Sequence, residues 1–115
     1  MEIIRGTTPL IQFTFSTVEI ANITDAYLVI SQRNSTIIEK DLSDATVTTE
    51  TVMVDNVPTT VDKSLDFKLA QADTLKLQKN ITGECVLDWK TSDGTRGRSV
   101  KMTFSVDDSG KDEVI

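Results

Sequence analysis

The residues best suited to binding chemistry lie in one short stretch, DWKTSDGTRGRS, at positions 88–99. Lys90, Arg96 and Arg98 lie within it, and Lys101 follows just after it. Four cations close together in an acidic chain form a candidate partner-binding surface for an acidic protein. The alternative is a set of solvated strand ends, because single surface charges contribute little energy. A phosphate-binding loop is disfavoured, because such loops carry several glycines that open onto a helix, and no helix is expected to follow.

Side chains suited to catalysis or metal binding form no recognisable pattern. The chain has no histidine, which is the commonest general base and the commonest transition-metal ligand. The carboxylate pairs Asp107-Asp108 and Asp112-Glu113 match neither the facing acids of a glycosidase nor a calcium loop. Cys85 falls on the inward side of a predicted strand, where cysteine is a core residue rather than a nucleophile. We therefore predict no catalytic residue, no metal, no cofactor and no enzymatic activity.

Composition narrows the class of protein further. A chain of 115 residues is long enough for one domain with one core, so we expect a single domain over 1–115. The formal net charge of −6 disfavours nucleic-acid and membrane partners. One cysteine leaves no internal disulfide and fits folding in a reducing compartment. We find no signal peptide and no apolar run that would span a membrane, and we expect synthesis in the cytoplasm.

The elements that must position these residues are β-strands, because apolar and polar side chains alternate along most of the chain. The alternating runs are LIQFTFS, DAYLVISQ, STIIEKDL, SLDFKLA, ECVLDWKT and SVKMTFSV. The last run predicts Val100, Met102, Phe104 and Val106 on the inward face. One helical turn is expected within 70–77. About seven to eight strands with so little helix predict an all-β protein, either a β-sandwich or a small barrel.

Turn residues divide the chain into these strands. Asp93-Gly94 is a strong hairpin signal, so the stretch at 88–99 is read as a bend between two strands, with Trp89 facing the core. Arg96 and Arg98 share parity with Met102, so we expect them to leave the buried face near the rim of the sandwich.

The middle of the chain, 46–63, is expected to be a variable edge hairpin or loop. A tight turn at Asp55-Asn56 would join two short strands, Val52 to Val54 and Thr59 to Val61. Pro58 cannot donate to a ladder, so any strand here should lie at a sheet edge. The last residues, 107–115, are expected to form a loose acidic tail.

Several phrases resemble small proteins encoded among the tail and baseplate genes of phages and prophages of Gram-positive bacteria. The phrases are MEIIRGTTPLIQFTFS, ITDAYLVISQ, IIEKDL, LAQADTLKL, CVLDWKTSDGTRGRS and KDEVI, which together cover most of the chain. Proteins of this group resemble the immunoglobulin-like domain at the N-terminus of phage upper-baseplate proteins. The resemblance implies an immunoglobulin-like antiparallel β-sandwich and a virion tail component without enzymatic activity. Its expected partners are other tail or baseplate proteins or a second copy of itself, as a homo-oligomer.

A second class of function stays open, a stand-alone binding module for a host cell-surface glycan or protein. Sugar sites favour exposed aromatic rings beside a few polar groups. The phenylalanines and Trp89 fall on predicted inward positions, which leaves Tyr27 as the one plausible platform. A small phage-encoded inhibitor of a host enzyme is a third possibility.

Overall fold

A computed structural model describes residues 1–99 and 101–107 of the chain. Most of these residues lie in nine strands: β1 Glu2–Ile4, β2 Leu10–Phe13, β3 Ile23–Gln32, β4 Ser35–Asp41, β5 Ala45–Val54, β6 Val57–Lys68, β7 Gly83–Thr91, β8 Arg96–Arg98 and β9 Met102–Asp107. One short helix, α1 (Gln71–Thr74), confirms the helical turn predicted within 70–77. The predictions for Val100 and for the tail beyond Asp107 lie outside the described residues.

The strands form two sheets. One has six strands in the order β1-β9-β7-β3-β4, with β8 also paired to β7, and the other has three in the order β2-β6-β5. These sets agree with the GFC-type and BED-type sheets of immunoglobulin sandwiches. The prediction of an all-β sandwich is confirmed. One pair departs from the antiparallel expectation, because β1 runs parallel to β9.

The core lies between the sheets, where the inward residues of each strand meet. Sixteen apolar residues are buried among those that the structure describes, and those on β3 and β7 face one another in register, as Leu28 opposite Leu87 and Ile30 opposite Cys85. From the smaller sheet, the Phe67 ring meets the Phe13 ring edge to face, with centroids 6.0 Å apart. Each such side chain contributes roughly 1.5–3 kcal/mol through burial.

The connection from β6 to β7 closes one end of the core with polar contacts. Asp73 on α1 accepts a hydrogen bond from the Ala70 N–H at 2.9 Å and pairs with Lys40 at 3.0 Å. Burial raises the pKa of Asp73, but the Ala70 N–H and Lys40 outweigh it and leave the pKa below its usual value. Buried Gln32 donates to the Gln78 and Ile81 carbonyls, both at 2.9 Å, and so holds this connection against β3.

Strands β5 and β6 form a long hairpin that continues past the end of the core. The Asp55-Asn56 turn is confirmed, with φ values of 50° and 63°, as a two-residue type I′ turn requires. Both strands are longer than predicted, because pairing extends without a gap from the turn to Ala45 opposite Phe67, apart from a register shift between Thr48 and Thr49.

We call residues 49–62 the arm. None of its residues is buried. The molecule is correspondingly long, with extents of 51 × 30 × 21 Å and a radius of gyration of 16.0 Å, against about 13 Å for a compact domain of this length.

Candidate interaction surfaces

The predicted cationic residues are held in place by the β7–β8 hairpin. Its turn is fixed by Asp93, whose carboxylate accepts hydrogen bonds from the Thr91 hydroxyl and from the Thr95 N–H, the latter at 2.9 Å. These bonds lower the pKa of Asp93 to about 2. Gly94 has a φ of 89°, which glycine adopts without strain. The hairpin predicted at Asp93-Gly94 is therefore confirmed.

Trp89 anchors this hairpin to the body. It is half-buried and packed against the core, and its ring meets Phe15 edge to face at 5.9 Å. Gly97 lies opposite it on β8, and a Cβ at Gly97 would fall 2.0 Å from the indole. The absence of a side chain at Gly97 is therefore what lets the ring lie across β8. The prediction that Trp89 faces the core is confirmed, at the rim of the sandwich.

The expected parity of the arginines is wrong. Arg96 and Arg98 flank the inward Gly97 and lie exposed on the outer face, whereas Phe104 and Val106, also even-numbered, are buried. The strand is interrupted at Ser99. As a result, odd-numbered Gly97 faces inward before the interruption, and even-numbered residues face inward after it. At this point the two strands are joined through Ser99 by one backbone and one side-chain hydrogen bond. The Ser99 N–H donates to the Leu87 carbonyl at 2.8 Å, and the Ser99 hydroxyl accepts from the Leu87 N–H at 2.9 Å.

Two of the four predicted cations are neutralised by neighbours. Arg98 donates to both carboxylate oxygens of Asp88, at 2.6 and 3.2 Å, and this carboxylate raises the pKa of Arg98. Lys101 pairs with Glu84 at 3.3 Å. The bidentate pair of Arg98 with Asp88 has a fixed geometry but leaves little net positive charge to attract an acidic partner.

The other two cations lie together at a shallow cleft on the outer face of the six-stranded sheet. Lys90 and Arg96 are cross-strand neighbours, and neither forms an ion pair with another residue of the described part of the chain. The cleft encloses about 210 Å³ and is lined by Asp25, Ala26, Tyr27, Asp88, Trp89, Lys90 and Arg96. The structure therefore brings Lys90 and Arg96 together with Tyr27, a juxtaposition that the sequence did not predict.

Tyr27 is held in a fixed orientation at this cleft. Its ring is 42% exposed, and its hydroxyl donates to Glu39 on β4 at 2.6 Å. This hydrogen bond, together with the nearby carboxylates, raises the pKa of Tyr27. An oriented aromatic ring beside two cations suits a polar, ring-shaped or anionic ligand.

The arm is a second exposed surface, and it carries several large apolar side chains. Alternation places Glu50, Val52 and Val54 on one face, where their cross-strand partners are Val61, Thr59 and Val57. The opposite face carries threonines, Met53, Pro58 and one charged residue, Asp62. Of the eight exposed large hydrophobic side chains in the described part of the chain, four belong to the arm or its base, namely Val47, Met53, Val54 and Val57.

A buried carboxylate marks the point where the arm joins the body. Asp66 is 2% exposed and accepts hydrogen bonds from Ser64 at 2.6 Å, from Thr48 and from Gln12. Burial raises the pKa of Asp66, but the hydrogen bonds outweigh it and leave the pKa below its usual value. This network ties β2, β5 and β6 together beneath the arm.

The remaining features relevant to chemistry are few. Cys85 is buried, as predicted, and burial raises its pKa to about 11, which disfavours the reactive thiolate. Within residues 1–99 and 101–107, no three His, Cys, Asp or Glu side chains are grouped so that they could hold a metal ion. Over the same residues, no helix is long and apolar enough to cross a membrane.

Comparison with known proteins gives no matching family model, no matching curated protein and no matching solved structure. The two surfaces and the resemblance of the sequence phrases are therefore the observations that bear on function.

Proposed function

We propose that this chain is a non-enzymatic structural component of a phage or prophage tail or baseplate, and that it acts by protein–protein assembly. The observation that carries the proposal is the arm, a projecting ribbon of fourteen residues, 49–62, without one buried side chain. The resemblance to tail- and baseplate-region proteins supplies the class of particle. Synthesis in the bacterial cytoplasm followed by incorporation into the tail is consistent with the exposed arm and with the resemblance.

The physical reason is the cost of keeping such a ribbon in water. Met53, Val54 and Val57 expose between 48% and 63% of their surface, although the body offers apolar neighbours to the inward residues of the same strands. Two-stranded ribbons are marginally stable alone, and exposed strand edges are sites for pairing with other chains. A tail component gains from both properties, because neighbouring subunits cover the ribbon once the particle is assembled.

The test is the protein content of purified particles. After prophage induction and gradient purification, mass spectrometry should detect this chain together with other tail proteins. Its absence from particles that contain the other tail proteins would contradict the proposal.

A shortened variant tests the arm directly. Replacing residues 50–61 with a two-residue turn should leave the body folded, because the buried residues of the hairpin lie outside that range. We expect this variant to be missing from particles, whereas Lys79→Ala, an exposed change distant from the arm in sequence, should be incorporated like wild type. Equal incorporation of both variants would show that the arm is not needed for assembly.

The cleft at Tyr27 supports a second candidate function, a binding module for a host glycan or an acidic host protein. A glycan array and binding assays with acidic proteins would test it, with Tyr27→Ala and the double change of Lys90 and Arg96 to alanine expected to abolish binding. Lys101→Ala is the matched control, because Lys101 pairs with Glu84 and neither residue lines the cleft. The absence of any glycan or acidic-protein binding by the wild type would leave assembly as the better proposal.

A further inference from the structure

The sheet edges of this molecule are protected unequally. The edge strand β1 has three residues and β2 has four, while β4 carries Glu39, Lys40 and Asp41 along its edge. Short length and charge are the devices by which proteins block unwanted strand pairing. Strand β5 has neither, since it is ten residues long and carries one charge, Glu50.

The backbone groups along the arm follow from the type of turn. A two-residue turn makes Val54 and Val57 a hydrogen-bonded pair, and alternate pairs along the ladder then direct their N–H and C=O groups outward. On β5 the outward groups within the arm belong to Thr49, Thr51 and Met53.

The two edges of the arm differ at one residue. Pro58 occupies the outward position opposite Met53 on β6, and it has no N–H to donate. The β6 edge is therefore interrupted, whereas the β5 edge offers an unbroken set of donors and acceptors.

We propose that the free edge of β5 pairs antiparallel with β5 of a second copy, across a two-fold axis at Thr51. The inference deepens the proposed assembly role and rests on it. A two-fold contact is isologous, so one strand provides both halves of the interface. Thr51 pairs with its counterpart, and the two-fold axis gives two equivalent pairs of Thr49 with Met53 of the other copy. These three pairs, with two hydrogen bonds each, give six hydrogen bonds between the copies.

Hydrogen bonding and charge together select this register. An axis at Val52 or Met53 pairs fewer of the outward groups on β5, and charge disfavours the registers on the other side. An axis at Thr51 sets Glu50 opposite Val52 and Asp55 opposite Val47 of the second copy, so each carboxylate faces an aliphatic side chain. An axis at Glu50 would set the two Glu50 carboxylates directly opposite one another, which is destabilising. An axis at Thr49 would bring Asp55 opposite Ser43, next to Asp44, and would lay the tip of each arm beside the other body.

The size of the contact predicts its strength. The overlap of residues 47–55 is roughly 27 Å long at about 3.4 Å per residue, and a sheet is about 10 Å thick. Such a contact buries a few hundred Å² on each copy, less than the roughly 800 Å² per partner typical of stable complexes. The dimer should therefore depend on protein concentration in solution and become persistent where a particle holds many copies together.

Sedimentation velocity of the full chain from about 5 to about 500 µM tests the inference. We expect the weight-average sedimentation coefficient to rise with concentration toward that of a dimer. Thr51→Pro removes an outward donor from the β5 edge and should remain monomeric at the highest concentration. Thr60→Pro is the matched control, because Thr60 is the cross-strand partner of Thr51 and directs its N–H to the opposite edge.

A second pair of variants guards against loss of folding. Thr51→Lys and Thr60→Lys place a charge on the same two edges without constraining the backbone, and only the first should reduce self-association. Thr51→Cys should cross-link two copies under oxidation, because hydrogen-bonded pairs hold Cα atoms about 5.5 Å apart, within disulfide range. Thr60→Cys should not.

Two results would overturn the inference. One is a wild-type chain that stays monomeric throughout the concentration range, and the other is equal self-association of the Thr51 and Thr60 variants. The failure of the inference is distinguishable from failure of the proposed function. A chain that is monomeric in solution but present in purified tails would contradict the two-fold pairing and support the assembly role. Absence of the chain from tails would contradict the assembly role.

Discussion

The two halves of strand β6 lie in opposite environments. Residues from Ser64 to Phe67 are buried at four consecutive positions, whereas Val57 to Lys63 contain no buried residue. Both halves pair with β5, so both satisfy the backbone hydrogen bonds of an antiparallel ladder. The buried half of the hairpin is therefore expected to stabilise the fold. The arm is expected to add little stability and to provide an exposed surface.

The largest test of this contrast is a truncation in the buried half. Phe67→Ala removes a fully buried ring and its edge-to-face contact with Phe13, and it should lower the free energy of unfolding by about 3–5 kcal/mol. Urea denaturation followed by circular dichroism measures the effect. Met53→Ala is the control in the arm and should change stability by less than about 0.5 kcal/mol. Similar losses for both variants would show that the arm packs more tightly than its exposure indicates.

A methyl group at Gly97 tests the anchoring of the β7–β8 hairpin. Gly97→Ala places a Cβ 2.0 Å from the Trp89 indole, which is a steric clash, so the ring must move, at a cost of about 1–3 kcal/mol in stability. Because Trp89 is the single tryptophan, its fluorescence should shift to longer wavelength as the ring becomes more exposed. Arg98→Ala, on the same short strand but outside the lining of the cleft that contains Trp89, should leave the emission unchanged.

The buried carboxylate beneath the arm should make stability depend on pH. The pKa of Asp66 is lowered in the folded state, so its contribution is present at pH values above the unfolded pKa and is lost as pH falls through the folded pKa. Asp66→Asn should therefore cost roughly 1–2 kcal/mol at neutral pH. The difference from wild type should shrink as the pH falls through and below about 4.

Urea unfolding of both proteins across this pH range provides the measurement. Asp62→Asn removes one carboxylate from the exposed arm and serves as the control for the change in net charge. A gap between wild type and Asp66→Asn that stayed constant down to pH 2 would count against the role assigned to the Asp66 carboxylate.

The smallest effect is expected at the tip of the arm. Asn56 has a φ of 63°, a conformation that glycine adopts most easily, and Asp-Gly is a preferred type I′ pair. Asn56→Gly should therefore stabilise the hairpin by a few tenths of a kcal/mol. Amide exchange of residues 49–62 should slow slightly while exchange in the body stays the same. Faster exchange in the arm would show that the Asn56 side chain stabilises the hairpin by more than glycine gains from its ease in adopting a positive φ.

Much of the body was predictable from the sequence, because its strands alternate apolar and polar residues with one buried face. The inward positions of Leu28, Leu87, Phe67 and Phe104 follow from this alternation and are confirmed. Turns with glycine, asparagine or aspartate were predictable for the same reason, since few residue types adopt a positive φ. Strand β1 was missed because three residues are too few to show a period.

The surfaces were less predictable. The strand is interrupted at Ser99, and this places Arg96 and Arg98 on the outer face. The interruption depends on the Ser99 hydroxyl, which accepts a hydrogen bond from the Leu87 N–H in place of a backbone carbonyl. The alternation of apolar and polar residues does not reveal such a contact. The length of β5 and β6 was underestimated, because threonine and valine occupy both faces of a strand that is exposed on both. The neutralisation of Arg98 by Asp88 depends on the register of the β7–β8 hairpin, and the grouping of Tyr27 with Arg96 depends in addition on the pairing of β3 with β7, two strands distant in the chain.

The length of the molecule has a practical consequence for hydrodynamics. A particle of 12.7 kDa that is 51 Å long experiences more friction than a sphere of equal mass. It should leave a sizing column early, with an apparent mass above that of one chain, even as a monomer. Light scattering and sedimentation equilibrium report mass independently of outline, and they would separate an elongated single copy from a true pair.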